Sequence, residues 1–285
     1  MNVLVVLLWL TFLFTGSYGQ FQNQHSQQVP VCASIPVGVP VNGPETFQGP
    51  KGEHGTAGKR GPKGERGSPG HPWGHGGCPT ITYHFPRDDQ IADYVWYRSY
   101  VPRMIEATAC AWLETSDFHD DIASWVSYAI PGQNNEFLLS IRTKTTADIY
   151  IGGQSHKLLL PDLSSMNKFH ACVWFSNKTR QTGIYINSER VSTLPLKGFV
   201  SQGGGSMIFG QDQDDVNAGS LAENQAYNGN ITNLMIWPRV LSQNEINNLA
   251  YNCQCPVDYV IALTLDRVEL FGEAHYSIPD TCPTL

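Results

Sequence analysis

Ile208-Phe209-Gly210-Gln211-Asp212-Gln213-Asp214 is the stretch on which the reading of this chain turns. Two apolar residues and a glycine lead into two amides and two acids within four positions. Downstream, Asn228-Gly229-Asn230-Ile231-Thr232-Asn233-Leu234-Met235-Ile236-Trp237 ends in an apolar run, and Val240-Leu241-Ser242 follows. Ser242-Gln243-Asn244-Glu245 is a capping box, with Ser242 as N-cap and Glu245 reaching back, and it predicts a short helix. Upstream, Asp148-Ile149-Tyr150-Ile151 alternates with the two-residue period of a strand and stops at Gly152-Gly153, a hairpin signal. Ile184-Tyr185-Ile186 likewise runs to Asn187-Ser188. Many short strands punctuated by turns predict an all-β antiparallel sandwich or jelly roll over residues 79–285.

Outside this head the composition changes. Residues 3–14 are uncharged and mostly apolar, with small residues at Ser17 and Gly19, as in a secretory signal peptide cut after Gly19. Twelve residues are too few to span about 30 Å of hydrocarbon. Residues 20–48, rich in Gln, Pro and Val, read as a flexible leader. Gly49, Gly52, Gly55, Gly58, Gly61, Gly64, Gly67 and Gly70 then open eight in-phase Gly-X-Y triplets over 49–72. Glycine recurs because only hydrogen fits the axis of three wound polyproline-like chains, so a collagen-like triple helix of about 70 Å is expected. A Gly-rich linker is the competing reading. Residues 73–78 break the repeat at Trp73 and read as a hinge, a better account of His71 and His75 than a two-ligand metal site.

The formal net charge is −7, with five Lys/Arg and two Glu in residues 49–72 and an excess of acids elsewhere. A mildly acidic body argues against nucleic acid as a partner. The acid run Glu114 to Asp121 reads as a solvated loop. Seven cysteines in an oxidising compartment should mostly pair, and an odd number leaves at least one free or bonded to another chain. Asn177 and Asn230 head N-glycosylation sequons.

The motifs from Ile208 to Ser242, in their order, resemble the pentraxin family over residues 80–275 or so. The resemblance implies a pentraxin-type two-sheet antiparallel jelly-roll sandwich, laminin-G or concanavalin-like, with one short helix, here preceded by the collagen-like segment. It implies an inter-strand disulfide between Cys110 and Cys172, which closes a loop of 62 residues and is worth roughly 4 kcal/mol in the chain-entropy model. After Cys172 the family has a hydroxyl residue and then Trp; Trp174 and Phe175 stand there, so a bulge or a one-residue shift is expected.

The resemblance also implies calcium held by oxygen ligands. Matching positions are Asn134 and Asn135 on one loop, Asp212, Gln213 (through its main-chain carbonyl) and Asp214 on another, and Gln225 beyond. Calcium takes six to eight hard oxygens, which clustered carboxylates and amides supply. Asn134 replaces an acid of the family pattern, and Ala222 stands where another acid is expected, with Glu223 one place away. One calcium site of moderate or weak affinity is therefore expected, and the second lacks its acid. Ser140, Tyr150 and Ser155 occupy the family's phosphocholine-binding positions and offer neither its apolar wall nor its anion.

These features predict a secreted, multivalent, calcium-dependent recognition protein of the innate-immune type, binding a surface glycan, anionic lipid or protein. The alternative is an adhesive matrix protein with a calcium-independent head. The sequence has no Gly-x-Ser-x-Gly elbow, no His-Glu-x-x-His helix and no Glu-x-Asp-x-Glu strand to suggest an enzyme. Assembly carries a conflict, since Gly-X-Y repeats need three chains and the resemblance implies heads that usually form rings of five. Disulfide-linked trimers, or multiples of trimers, through Cys32, Cys78 or both are expected, a pentameric ring of heads with unwound stalks being the alternative, and Cys282 is expected to pair with Cys253 or Cys255.

Overall fold

The computed structural model describes residues 77–86, 93–115, 118 and 123–285. The signal peptide, leader, collagen-like repeat, most of the hinge, Cys32 and most of the acid run at 114–121 lie outside the described residues. Fifteen strands and one helix follow in order: β1 (Thr82–Phe85), β2 (Tyr94–Tyr97), β3 (Glu106–Glu114), β4 (Ala123–Ile130), β5 (Gln133–Thr143), β6 (Thr146–Ile151), β7 (Gln154–Leu159), β8 (Lys168–Ser176), β9 (Gln181–Ile186), β10 (Glu189–Pro195), β11 (Ser206–Phe209), β12 (Gly229–Trp237), α1 (Gln243–Asn252), β13 (Ile261–Ala262), β14 (Val268–Phe271) and β15 (His275–Ser277).

They form two antiparallel sheets. One runs β10-β9-β8-β3-β12-β1-β15, and β13 continues the edge of β12 that β1 leaves. The other runs β14-β2-β11-β4-β5-β6-β7. The alternation read at 148–151 is that of β6, and Gly152 and Gly153 turn it into β7 with φ of 59° and 70°. Two consecutive positive φ values make the turn whose twist matches the flanking strands.

The sandwich core is formed by alternate residues of both sheets, among them Ala107, Ala109, Ala111 and Leu113 of β3 and Phe137, Leu139 and Ile141 of β5. β3 is buried on both faces because α1 covers the other one. Cys110, Cys172, Trp174, Met235 and Trp237 form a second apolar cluster there with Leu241, Ile246 and Leu249. The capping box is present: Glu245 Oε2 accepts from Ser242 N at 2.8 Å, and Ser242 Oγ accepts from Glu245 N at 3.4 Å. Arg239 forks onto both Glu245 oxygens at 2.6 and 2.9 Å, and these hydrogen bonds hold the Glu245 carboxyl down to about 2.

Three disulfides lie on this helix-covered side. Cys110 and Cys172 face each other across β3 and β8 with Cα atoms 4.1 Å apart, the narrow spacing of a cross-strand pair without mutual hydrogen bonds. Cys253, in left-handed geometry (φ 51°) at the C-terminus of α1, bonds Cys282 and ties down the tail. Cys78 bonds Cys255 within the chain. The expectation that Cys78 links chains is corrected accordingly: the segment after Cys78 lays β1 beside β12, which brings Cys78 under α1 next to Cys255. No bulge accommodates Trp174 and Phe175. The β3–β8 and β8–β9 registers run unbroken, Trp174 faces α1, and Phe175 faces the core against Phe137 and Phe199.

Candidate metal centre

The segment Gly210–Asp214 leaves β11 on the face of its sheet turned away from the core. Met207 and Phe209 point into the core, while Ile208 belongs to an outward row with Ser127, Leu138 and Tyr150 on neighbouring strands. Gly210 then turns the chain with φ +84°, where a Cβ would lie 2.1 Å from the Phe85 ring. Only glycine permits both the left-handed backbone and that approach.

Gln213 anchors the loop. Its Nε2 donates to the carbonyls of Ser127 and Ser206 at 3.1 and 2.8 Å, and its Oε1 accepts from Ala218 N at 3.1 Å. This side chain is a structural strut, which leaves the main-chain carbonyl as the group for a ligand role. Asp212 is 1% exposed. Its Oδ1 accepts from the Ser127 hydroxyl at 2.8 Å and its Oδ2 from Gln225 Nε2 at 3.4 Å. Burial raises its pKa from 3.8 to about 7; the Ser127 hydrogen bond opposes the shift and the nearby Asp214 charge adds to it. Asp214 is exposed and accepts from Asn134 Nδ2 at 2.8 Å, which joins the two predicted loops. Asn134 Oδ1 accepts from Asn135 N at 3.0 Å.

Asn135 is placed by the β6–β7 turn, whose Gly153 N donates to its carbonyl at 2.9 Å. Glu136, next in the chain, is engaged elsewhere. Its Oε1 accepts from Gln202 N at 2.7 Å, and burial raises its pKa against the effect of that bond. Gln225 closes a single 3-10 turn, Glu223–Gln225. The side chain of Glu223 lies outside the described residues.

The donor set fits a hard cation. Asn135 Oδ1 and Gln225 Oε1 are buried oxygens with no hydrogen-bond donor. A buried acceptor without a partner costs roughly 1–3 kcal/mol. Buried amide oxygens beside two carboxylates, one of them held against ionisation by burial, are what an oxygen-seeking divalent ion relieves. Of the six predicted residues, Asn134 pairs with Asp214 and Gln225 with Asp212, and Asn135 and Gln213 are their chain neighbours. Sequence reasoning missed Ser127, whose hydroxyl touches both Asp212 and the Gln213 amide. A serine inside the apolar run of β4 carries no signal of such a role. Two other groupings of potential ligands, Cys78/Cys253/Cys282 and Cys110/His170/Cys172, rest on bonded cystine sulfurs, which offer no thiolate.

The two sequons differ in setting. Asn177 follows β8 at a turn, with its Oδ1 accepting from Phe199 N at 3.1 Å. Asn230 sits in β12 between β1 and β3. Among the described residues no helix is long and apolar enough to cross a membrane.

Comparison with known proteins agrees with this architecture. The Pentaxin family model matches residues 82–274. Neuronal pentraxin-2 of Cavia porcellus and of Homo sapiens are 30% identical over 190 residues, covering 64% of this chain and 42% of theirs. The neuronal pentraxin receptor of Rattus norvegicus is 28% identical over 197 residues, 66% of this chain and 38% of its own. The chain thus spans about two fifths of the length of these relatives. Among solved structures, a native heptameric SAP-like pentraxin from Limulus polyphemus superposes with a TM-score of 0.62 at 19% identity, over 71% of this chain and 97% of that one. A putative carbohydrate binding protein from Bacteroides ovatus shares the fold at 0.51 and 15% identity, over 73% and 62%. With the family model spanning the sandwich from β1 to β14 and the loop motifs folded together on one face, the chain belongs to the Pentaxin family.

Proposed function

We propose that this is a secreted, multivalent recognition protein whose heads take surface ligands through calcium at the Asp212–Gln225 loop. The observation that carries the reading is the pair of donorless buried oxygens, Asn135 Oδ1 and Gln225 Oε1, on segments tied to the acid loop by the Asn134–Asp214 and Asp212–Gln225 hydrogen bonds. Calcium supplies an open coordination position to an anionic or polyhydroxyl ligand; the chain's part is to hold the oxygens in place through Ser127 and Gln213.

The ligand is not choline-like. Ser140 is buried and donates to the Asp148 carbonyl at 2.6 Å. Tyr150 and Ser155 pair across β6 and β7 without a carboxylate. None of these three side chains is itself a carboxylate or an aliphatic wall for a quaternary ammonium.

The collagen-like segment at 49–72 clusters the heads, and clustering raises avidity by about 100-fold to 10,000-fold with no better single contact. With three bonds inside the head, Cys32 is the seventh cysteine and the candidate link between chains. Disulfide-linked trimers, or multiples of them, should collapse to single chains on reduction when Gly61→Ala interrupts the repeat. Light scattering that gives a clean pentamer or a monomer defeats the triple-helical stalk.

A glycan and lipid array, read with calcium and with chelator, tests the recognition role. Binding that disappears with chelator and with Asp214→Ala is expected. Binding to matrix components indifferent to both favours the adhesive alternative.

A further inference from the structure

Far along the other sheet, two histidines meet on paired strands. His84 of β1 and His275 of β15 are register partners, and their rings stack with centroids 4.7 Å apart and planes 18° from parallel. His84 is partly buried and His275 exposed.

Their hydrogen bonds settle which ring nitrogen carries the hydrogen. His84 Nδ1 lies 2.7 Å from Asn230 Oδ1, and His275 Nδ1 lies 3.0 Å from the Glu273 carbonyl. Both oxygens accept only, so both Nδ1 atoms donate, and in each neutral ring the lone pair is left on Nε2. His84 Nε2 lies 2.7 Å from Ser277 Oγ, whose hydroxyl then donates to it. On His275 the Nε2 lone pair leaves the ring on the side away from the Glu273 carbonyl. An oxygen acceptor on the other ring nitrogen is how metal-binding histidines are oriented and made more basic.

We propose that His84 and His275 form a clip for a borderline divalent transition ion, Zn2+ or Cu2+, bound through the two Nε2 atoms. This site is separate from the oxygen-lined loop and opposite in chemistry. Imidazole nitrogen suits zinc and copper, whereas calcium selects oxygen. Parallel rings send their lone pairs side by side, so one ring must turn to bring both onto one ion at about 2.0–2.1 Å. His275 is the ring free to do so: it sits on the edge strand and makes one hydrogen bond, while His84 is held at both nitrogens. The ion takes the place of the Ser277 hydroxyl hydrogen on His84 Nε2, and that hydroxyl or water fills a further position. No proton need leave either neutral ring.

The other described histidines lack this arrangement. His170 is buried beside the Cys110–Cys172 bond, and His156 lies on β7 in the opposite sheet.

The test is zinc uptake by the full secreted chain, titrated against a colorimetric zinc indicator with calcium in excess, so that the oxygen-lined loop is already served. His84→Gln and His275→Gln should each lose the zinc equivalent that wild type takes up, and His156→Gln should keep it. His275→Gln decides the matter if His84→Gln is not secreted, because residue 275 is exposed and a glutamine amide can still donate to the Glu273 carbonyl. Copper electron paramagnetic resonance should show two nitrogen ligands in wild type and lose one in His275→Gln. Zinc uptake that is the same in wild type and His275→Gln, or absent from wild type, overturns the clip.

Discussion

The two outer faces of the sandwich are built on opposite principles. Over β3, β8 and β12 lies an apolar cap, where α1 covers Trp174, Met235 and Trp237 and every described cystine sits. Over β4, β5 and β11 lies a polar cap, where buried side chains hold one another through Ser127, Gln213 and Asp212. Apolar burial lowers the free energy whatever occupies the surroundings. A buried polar group is stable only with its full set of partners, and here two oxygens have none. The helix-covered face is therefore held mainly by apolar contact, with Trp174 Nε1 a buried donor there that has no hydrogen-bond partner, and the loop face holds two donorless oxygens that the proposed ion would serve.

The sharpest way to break that contrast is to damage the apolar cap. Trp237 is fully buried and its Nε1 donates to the Pro256 carbonyl at 2.9 Å. Trp237→Ala should cost about 3–5 kcal/mol in chemical denaturation, with or without calcium. A loss under about 1 kcal/mol, the level of an ordinary surface change, would mean that α1 does not seal a core.

The polar cap should respond to calcium instead. At a concentration about a hundred times its dissociation constant, calcium should add about 2.7 kcal/mol. For a head of this size that is a rise of roughly 5–10 °C in Tm. Asp214→Ala should remove most of the rise while leaving the calcium-free melt in place, since Asp214 is exposed. A melting curve unmoved by millimolar calcium would remove the metal from the loop.

Acid should pull the two faces in opposite directions when calcium is chelated. His170, beneath the apolar cap, has its pKa lowered by burial from 6.5 to about 4. Its stabilising contribution is present above 6.5 and fades as the pH falls towards 4. Asp212 has its pKa raised from 3.8 to about 7, so its contribution is present below 3.8 and fades as the pH rises towards 7. Each carries a slope of at most about 1.4 kcal/mol per pH unit. Between pH 4 and 6.5 they offset. Asp212→Asn should therefore leave a chain that loses stability on acidification, and His170→Gln one that gains it, read as Tm across that window. Equal slopes in both variants would show that neither group is held as its burial implies.

The smallest effect belongs to the helix cap. Ser242→Ala removes the acceptor for Glu245 N and should cost about 1 kcal/mol. Because Arg239 grips Glu245 independently, a larger loss would mean that the cap and the ion pair act as one unit.

What was legible from the chain alone follows from local physics. The period of two in Asp148–Ile151, the paired glycines after it and the capping box at Ser242 each specify their element through backbone geometry, and the structure contains all three. The order of motifs from Ile208 to Ser242 pointed to the family, and the same stretch supplied candidate ligands that meet on one face. Other features were decided by residues far apart in sequence. Cys78 finds Cys255 across 177 positions because β1 is laid beside β12, a pairing that no spacing encodes. Trp174 and Phe175 fit without a bulge because both faces of β8 are buried, so either order of aromatics has a pocket to fill. Glu136, the chain neighbour of Asn135, accepts from the Gln202 amide, a partner 66 positions away. Ser127 gave no sign of its place under Asp212. Local pattern determines which segments are strands, turns and helix; which buried polar atom meets which partner is settled only when the two sheets close over one another.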